Sequence, residues 1–133
     1  MEKIWIDANV ILRYLLKDNE EFYAKAYEIM KKADSGELKL LVSPLTIAEV
    51  VWTLESFYKI SKDQISDTLI TFICSEAVEA EERDTLILSL NSYKENNVDF
   101  IDAYIAAHAI NSGNKKVFTF DKKHFSRLNV ELF

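Results

Sequence analysis

Short apolar runs alternate along this chain with longer segments whose apolar residues recur at three- and four-residue steps. Runs of three to five residues bounded by turn formers suit buried strands, whereas the longer periodic segments suit amphipathic helices. Ile4-Trp5-Ile6, Leu38–Val42 and Lys116–Phe120 read as strands, Ala77–Ala80 as a weaker one and Val130–Phe133 as a last edge strand. The helical segments run from Asn9, which can cap, to near Asp18, and from Glu20 to about Ala33. A third starts at Pro44, with Ser43 as its N-cap, and continues to Phe57-Tyr58. Others cover Lys62 to Phe72 behind a Ser61 cap, Arg83 to Lys94, Asp99 to Asn111 with Gly113 as C-cap, and a short turn at Lys123 to Phe125. Strands alternating with helices predict a three-layer α/β/α domain with a mainly parallel central sheet. No repeat or Gly/Ser/Pro-rich linker interrupts the pattern, so residues 1–133 read as a single domain.

Composition narrows the chemistry. Apolar residues make up 49% of the chain, enough for a core, and no window approaches the roughly 18 uninterrupted apolar residues of a membrane span. The start lacks the layout of a signal peptide, so no membrane attachment and a cytoplasmic location are expected. A single cysteine, Cys74, excludes an internal disulfide and a multi-thiolate zinc site, and reads as a small core residue. His108 and His124 read as packing or surface histidines. Phe22, Tyr23, Tyr27, Trp52, Phe57 and Tyr58 fall at helical spacing and are assigned mostly to the core.

A net charge of −6 argues against a general nucleic-acid coat. The charge is uneven, however. Lys115 to Arg127 holds five basic residues against one acid, Asp121, while Glu76 to Asp84 holds five acids and one arginine. Arg13 and Lys17 add basic charge early in the chain, and with Lys122 and Lys123 they are candidate phosphate contacts.

The acids are the informative residues. Asp7 and Asp121 each follow an apolar run, and ligands of open parallel sheets bind beyond the carboxyl ends of the strands, so these two are expected to be neighbours. Glu49 and Asp102 sit in otherwise apolar helical stretches, Leu45–Trp52 and Phe100–Ala107. A carboxylate so placed needs pairing or a metal. Four carboxylates meeting without a cation would repel one another, and an all-oxygen donor set suits Mg²⁺ or Mn²⁺, which would activate water for phosphate-ester chemistry.

Four segments carry a resemblance. Ile6-Asp7-Ala8-Asn9-Val10, Thr46-Ile47-Ala48-Glu49-Val50, Phe100 to Ala107 and Thr119 to Phe125 are similar, in order and spacing, to the four motifs of PIN-domain ribonucleases, and the chain length is closest to VapC-type toxins of toxin–antitoxin modules. The resemblance implies a PIN-like fold and makes Asp7, Glu49, Asp102 and Asp121 the catalytic, metal-binding acids. Asn9 and Thr119 match supporting positions. Asp99 reads either as a helix N-cap or as a supporting acid. Also implied are Mg²⁺- or Mn²⁺-dependent endonucleolytic cleavage of RNA, a homodimer and a small antitoxin protein as inhibitor. Alternative readings are a housekeeping PIN nuclease in RNA processing, a phosphatase of the haloacid-dehalogenase kind, and a PIN-like domain that binds RNA or a partner without cutting. The phosphatase needs an aspartate two residues after the first, where this chain has Asn9.

Overall fold

The computed structural model describes all residues, 1–133. Strand β1 (Glu2–Trp5) leads into helices α1 (Ala8–Leu16) and α2 (Glu20–Asp34). Strand β2 (Leu38–Val42) follows, then α3 (Pro44–Trp52), a π-helical turn (Thr53–Phe57) and α4 (Lys62–Cys74). Strand β3 (Val78–Ala80), the helix pair α5 (Arg83–Glu95) and α6 (Phe100–Ser112), β4 (Lys116–Val117), α7 (Lys122–Phe125) and β5 (Glu131–Leu132) complete the chain. β1, β2 and β3 form a parallel sheet in that order, and β4 and β5 pair in parallel as a separate ladder. The architecture is the three-layer α/β/α class with parallel strands.

β2 is the central strand of the larger sheet and its sequence shows why. Leu38, Leu40 and Val42 are buried on one face while Lys39 and Leu41 are half-buried on the other, the period of two expected of a pleated strand covered on both sides. Into the common core, α1 buries Ala8, Ile11 and Leu12, α4 buries Ile65 and Leu69, and α5 buries Leu86, Leu90 and Tyr93. Each fully buried aliphatic side chain contributes roughly 1.5–3 kcal/mol relative to leaving it in water. Polar groups in this core are satisfied: Ser66 Oγ donates to the Leu90 carbonyl at 2.9 Å and Asn111 Nδ2 to Thr85 Oγ1 at 2.9 Å. The helix pair α5/α6 is the most extensive of the helix contacts, because Ala103, Ala106 and Ala107 offer α5 a surface of small side chains. Gly113 ends α6 at φ 85°, a left-handed conformation that glycine adopts without Cβ strain.

Several boundaries differ from the sequence reading. Asp7, not Asn9, caps α1, accepting the Val10 N–H at 3.1 Å, and the helix starts at Ala8. The third helix stops at Trp52 and widens into the π turn, which keeps Leu54 buried and brings Glu55 onto the hydroxyl of Tyr93. The strand expected over Lys116–Phe120 ends at Val117, because its two-residue partner β5 offers no further ladder. Phe118 and Phe120 are exposed and meet edge to face, 5.4 Å between centroids. Cys74 is exposed on the last turn of α4 rather than buried. Of the six aromatics assigned mostly to the core, only Tyr23 is half-buried; Phe22, Tyr27, Trp52, Phe57 and Tyr58 are exposed. The stripe α2 buries is Ala26, Met30 and Ala33, and Phe22, one turn before it, lies beyond the end of the covered surface.

Candidate active site

Each acid singled out in the sequence sits on, or directly before, one of four helices, and α3 packs against both α1 and α6, with α6 in turn packing against α7. Asp7 lies two residues past β1 and just beyond the Ile6 N–H bond to Leu41, so the sheet edge sets its backbone and the cap to Val10 its carboxyl. Ser43 lies at the same edge of the sheet, after β2. Its hydroxyl caps α3 by accepting the Thr46 N–H at 3.3 Å, with Pro44 at the first helical position. Glu49 sits further along α3 and is exposed, not embedded in the core as its apolar neighbours in sequence imply. Ile47, Val50 and Val51 take the inward face of the helix and leave Glu49 on the outward one.

The closest gathering of charge is at the start of α6. Asp102 is half-buried, and burial pushes its carboxyl up from the ordinary aspartate range, helped by the negative charges of Asp99 and then Asp121, with His124 opposing. Asp99 occupies the position before α6 but makes no capping bond, so of its two sequence readings the geometry favours an acid acting on Asp102. Asp121 caps α7, accepting the His124 N–H at 3.1 Å and Nδ1 of the same ring at 2.7 Å. Those two His124 contacts hold Asp121 below the usual carboxylate range and outweigh its desolvation. Thr119 Oγ1 accepts the Asp121 N–H at 3.0 Å, which turns the backbone toward the cap.

His124 is a partly exposed residue, in keeping with its reading as a packing or surface histidine, and its ring is the partner of Asp121. The signal was legible in its i,i+3 spacing at a helix start. His108 is exposed and engages Glu82, with Nδ1 and Oε1 at 3.0 Å, while its ring stacks on Tyr104 at 5.8 Å. Tyr104 also donates to Glu82, and burial together with that carboxylate pushes its hydroxyl up to about 12.

Asp7 and Asp121 are not brought into contact by any hydrogen bond, and neither Asp7 nor Glu49 contributes to the upward push on Asp102. Asp7 instead lines a groove of about 400 Å³ together with Asn9, Arg13, Phe22 and Lys25. Arg13 pairs with Asp18 at 3.2 Å, Lys17 lies 5.6 Å from the Tyr23 ring centroid, and Lys122 and Lys123 are exposed beside Asp121.

A PIN domain family model matches residues 4–131. The chain belongs to the PIN domain family. No curated protein and no solved structure matches the chain. PIN domains are generally nucleases that depend on divalent metal ions, and membership removes the haloacid-dehalogenase reading. In this PIN domain no three His, Cys, Asp or Glu side chains are gathered tightly enough to ligate one ion unaided. The donor chemistry nonetheless fits a hard cation, since Mg²⁺ takes one or two carboxylates and completes its shell with water and substrate phosphate. Asp102 and Asp121 offer carboxylate oxygens of that kind where α6 packs on α7. No helix is long and apolar enough to cross a membrane.

Proposed function

We propose that this PIN domain is a metal-dependent endoribonuclease of the cytoplasm, the toxin of a VapC-like toxin–antitoxin pair, acting as a homodimer restrained by a small antitoxin protein. The observation that supports the catalytic part is that Asp99 and Asp121 lie near enough to the half-buried Asp102, where α6 packs on α7, to help burial push its carboxyl up. Asp102 and Asp121 would hold Mg²⁺ or Mn²⁺, with Asp7 and Glu49 as the further acids of the motif pattern. When bound, the ion supplies charge neutralisation at the phosphodiester and an acidified water. The protein's own part is positioning: Thr119 and His124 orient Asp121 through its backbone and carboxyl, and the α7 cap keeps the exposed Lys122 and Lys123 beside it for phosphate contact.

Purified protein is expected to cleave RNA with Mg²⁺ or Mn²⁺, to stop in EDTA, and to lose activity in Asp102→Asn and Asp121→Asn. Undiminished cleavage by either variant, or in excess EDTA, overturns the assignment. The toxin role is tested separately: expression is expected to arrest growth, with relief by a small adjacent reading frame. Absence of any growth effect from a cleavage-competent chain leaves a housekeeping RNA-processing nuclease.

A further inference from the structure

We propose that the groove between α1 and α2 beside Asp7 is a nucleotide subsite for single-stranded RNA, in which one base packs on Phe22 and its phosphate lies between Arg13 and Lys25. The proposal rests on the ribonuclease reading and names the place where substrate next to the scissile bond would be held. The groove has about 400 Å³, within the range of small-ligand pockets, and joins cationic and aromatic groups in one concavity. That combination is the platform on which single strands bind, because every base has a face to stack and a phosphate to neutralise.

The groups are free to do this. Phe22 is 46% exposed, leaving surface beyond the contact with the Arg13 guanidinium, which lies 5.3 Å from its centroid. Arg13 gives one N–H to Asp18, and a guanidinium carries five donors. Lys25 has a 3.6 Å pairing with Glu21, an exposed i,i+4 pair of the kind that contributes little and exchanges readily for a phosphate. Asp7 is the single acid lining the groove, so the subsite includes one of the acids of the proposed active site.

A second, smaller groove of about 190 Å³ shares Asn9 and Arg13 but runs toward Phe57 and Tyr58. It holds the Asp18 carboxylate, already bound by Arg13 and by the Tyr58 hydroxyl at 3.1 Å. A carboxylate there opposes a phosphate, so charge directs the strand to the α2 side. In a chain of net charge −6, this local pairing of two cations with an exposed ring favours an anionic aromatic ligand over an acidic copy of the same protein.

The test is binding of a fluorescein-labelled, unstructured RNA oligonucleotide, followed by anisotropy in EDTA. Phe22→Ala is expected to weaken affinity roughly 5- to 150-fold and Phe22→Trp to preserve it. Lys25→Ala should lower the slope of log affinity against log salt by about 0.7. Trp52→Ala, exposed and outside the groove, serves as the surface-aromatic control. RNA affinity of Phe22→Ala within twofold of wild type, at an unchanged melting temperature, overturns the proposal. So does a change confined to self-association in sedimentation, which would make the groove a protein contact. Cleavage is scored independently on wild type: binding that depends on Phe22 without metal-dependent cleavage sinks the nuclease reading alone, and cleavage with a Phe22-indifferent affinity sinks the subsite alone.

Discussion

Replacing Tyr93 by phenylalanine removes one oxygen from the centre of the molecule and tests how the π turn is tied to the helix that carries Asp102. Tyr93 is fully buried, donates its hydroxyl to Glu55, and meets the ring of Phe100, the first residue of α6, edge-on at 6.1 Å. Lys62 Nζ lies 4.4 Å from the Tyr93 centroid and donates to the Val98 carbonyl at 2.7 Å, one residue before Asp99. Tyr93→Phe keeps the ring contacts and deletes only the hydrogen bond to a carboxylate, which is worth about 1.5–3 kcal/mol. Glu55 is half-buried and regains some water, so the lower half of that range applies. For a domain of this size each kcal/mol moves the melting temperature by roughly 3–5 °C, and the variant is expected to melt about 5–10 °C lower. Thermal melts at pH 7 in EDTA measure that shift, and urea unfolding measures the free energy. A double-mutant cycle with Glu55→Ala should return a coupling of at least about 1 kcal/mol. The pH dependence has a definite sign. Burial, then Glu55, pushes the Tyr93 hydroxyl up from 10.0, so the fold holds that proton more tightly than the unfolded chain does. Stability should therefore fall as pH rises above about 10, less steeply in Tyr93→Phe. Additive single-mutant effects, or equal alkaline slopes, would refute the bond as a structural tie.

Other expectations concern the acids and the helix interface. Asp102→Asn should raise stability at pH 7 in EDTA: the folded chain binds that proton more tightly than the unfolded chain, so ionisation costs the fold as pH rises through the unfolded value of 3.8. The gain should vanish below that value, and Mn²⁺ should stabilise wild type but not the variant in thermal melts. Asp121→Ala should have the opposite sign, since its lowered carboxyl favours folding above 3.8 and that contribution is lost as pH falls; urea midpoints at pH 7 and pH 3 check it. Ala106→Leu, at a position 2% exposed, should overpack the helical layers and cost about 1–3 kcal/mol in urea unfolding, and an unchanged midpoint would show slack at that interface.

Local signals wrote most of the architecture. Ser43-Pro44, Ser61 and Gly113 mark helix ends through chemistry contained within a few residues, and they mark them correctly. The alternation in Leu38–Val42 and the alanines of α6 likewise declare their buried faces. The acids at Asp7, Glu49, Asp102 and Asp121 were legible because a carboxylate beside apolar residues is costly enough to need a reason. Their environments were not. Glu49 and Asp102 occupy similar apolar stretches, yet one is exposed and the other half-buried, because exposure depends on which neighbouring helix covers the face. Asp99 acts on Asp102 instead of capping, and Asp121 is held by His124, outcomes set by how α6 meets α7. The Glu55–Tyr93 contact joins residues 38 apart and needs the π turn to exist at all. Sequence alone thus determined the element order, the caps and the carboxylate inventory, which depend on short-range sterics and hydrogen bonding. Tertiary packing decided the opposite surroundings of Asp102, pushed up by burial, and Asp121, held down by His124, and it formed the aromatic groove beside Asp7, because desolvation and Coulomb interaction depend on neighbours in space.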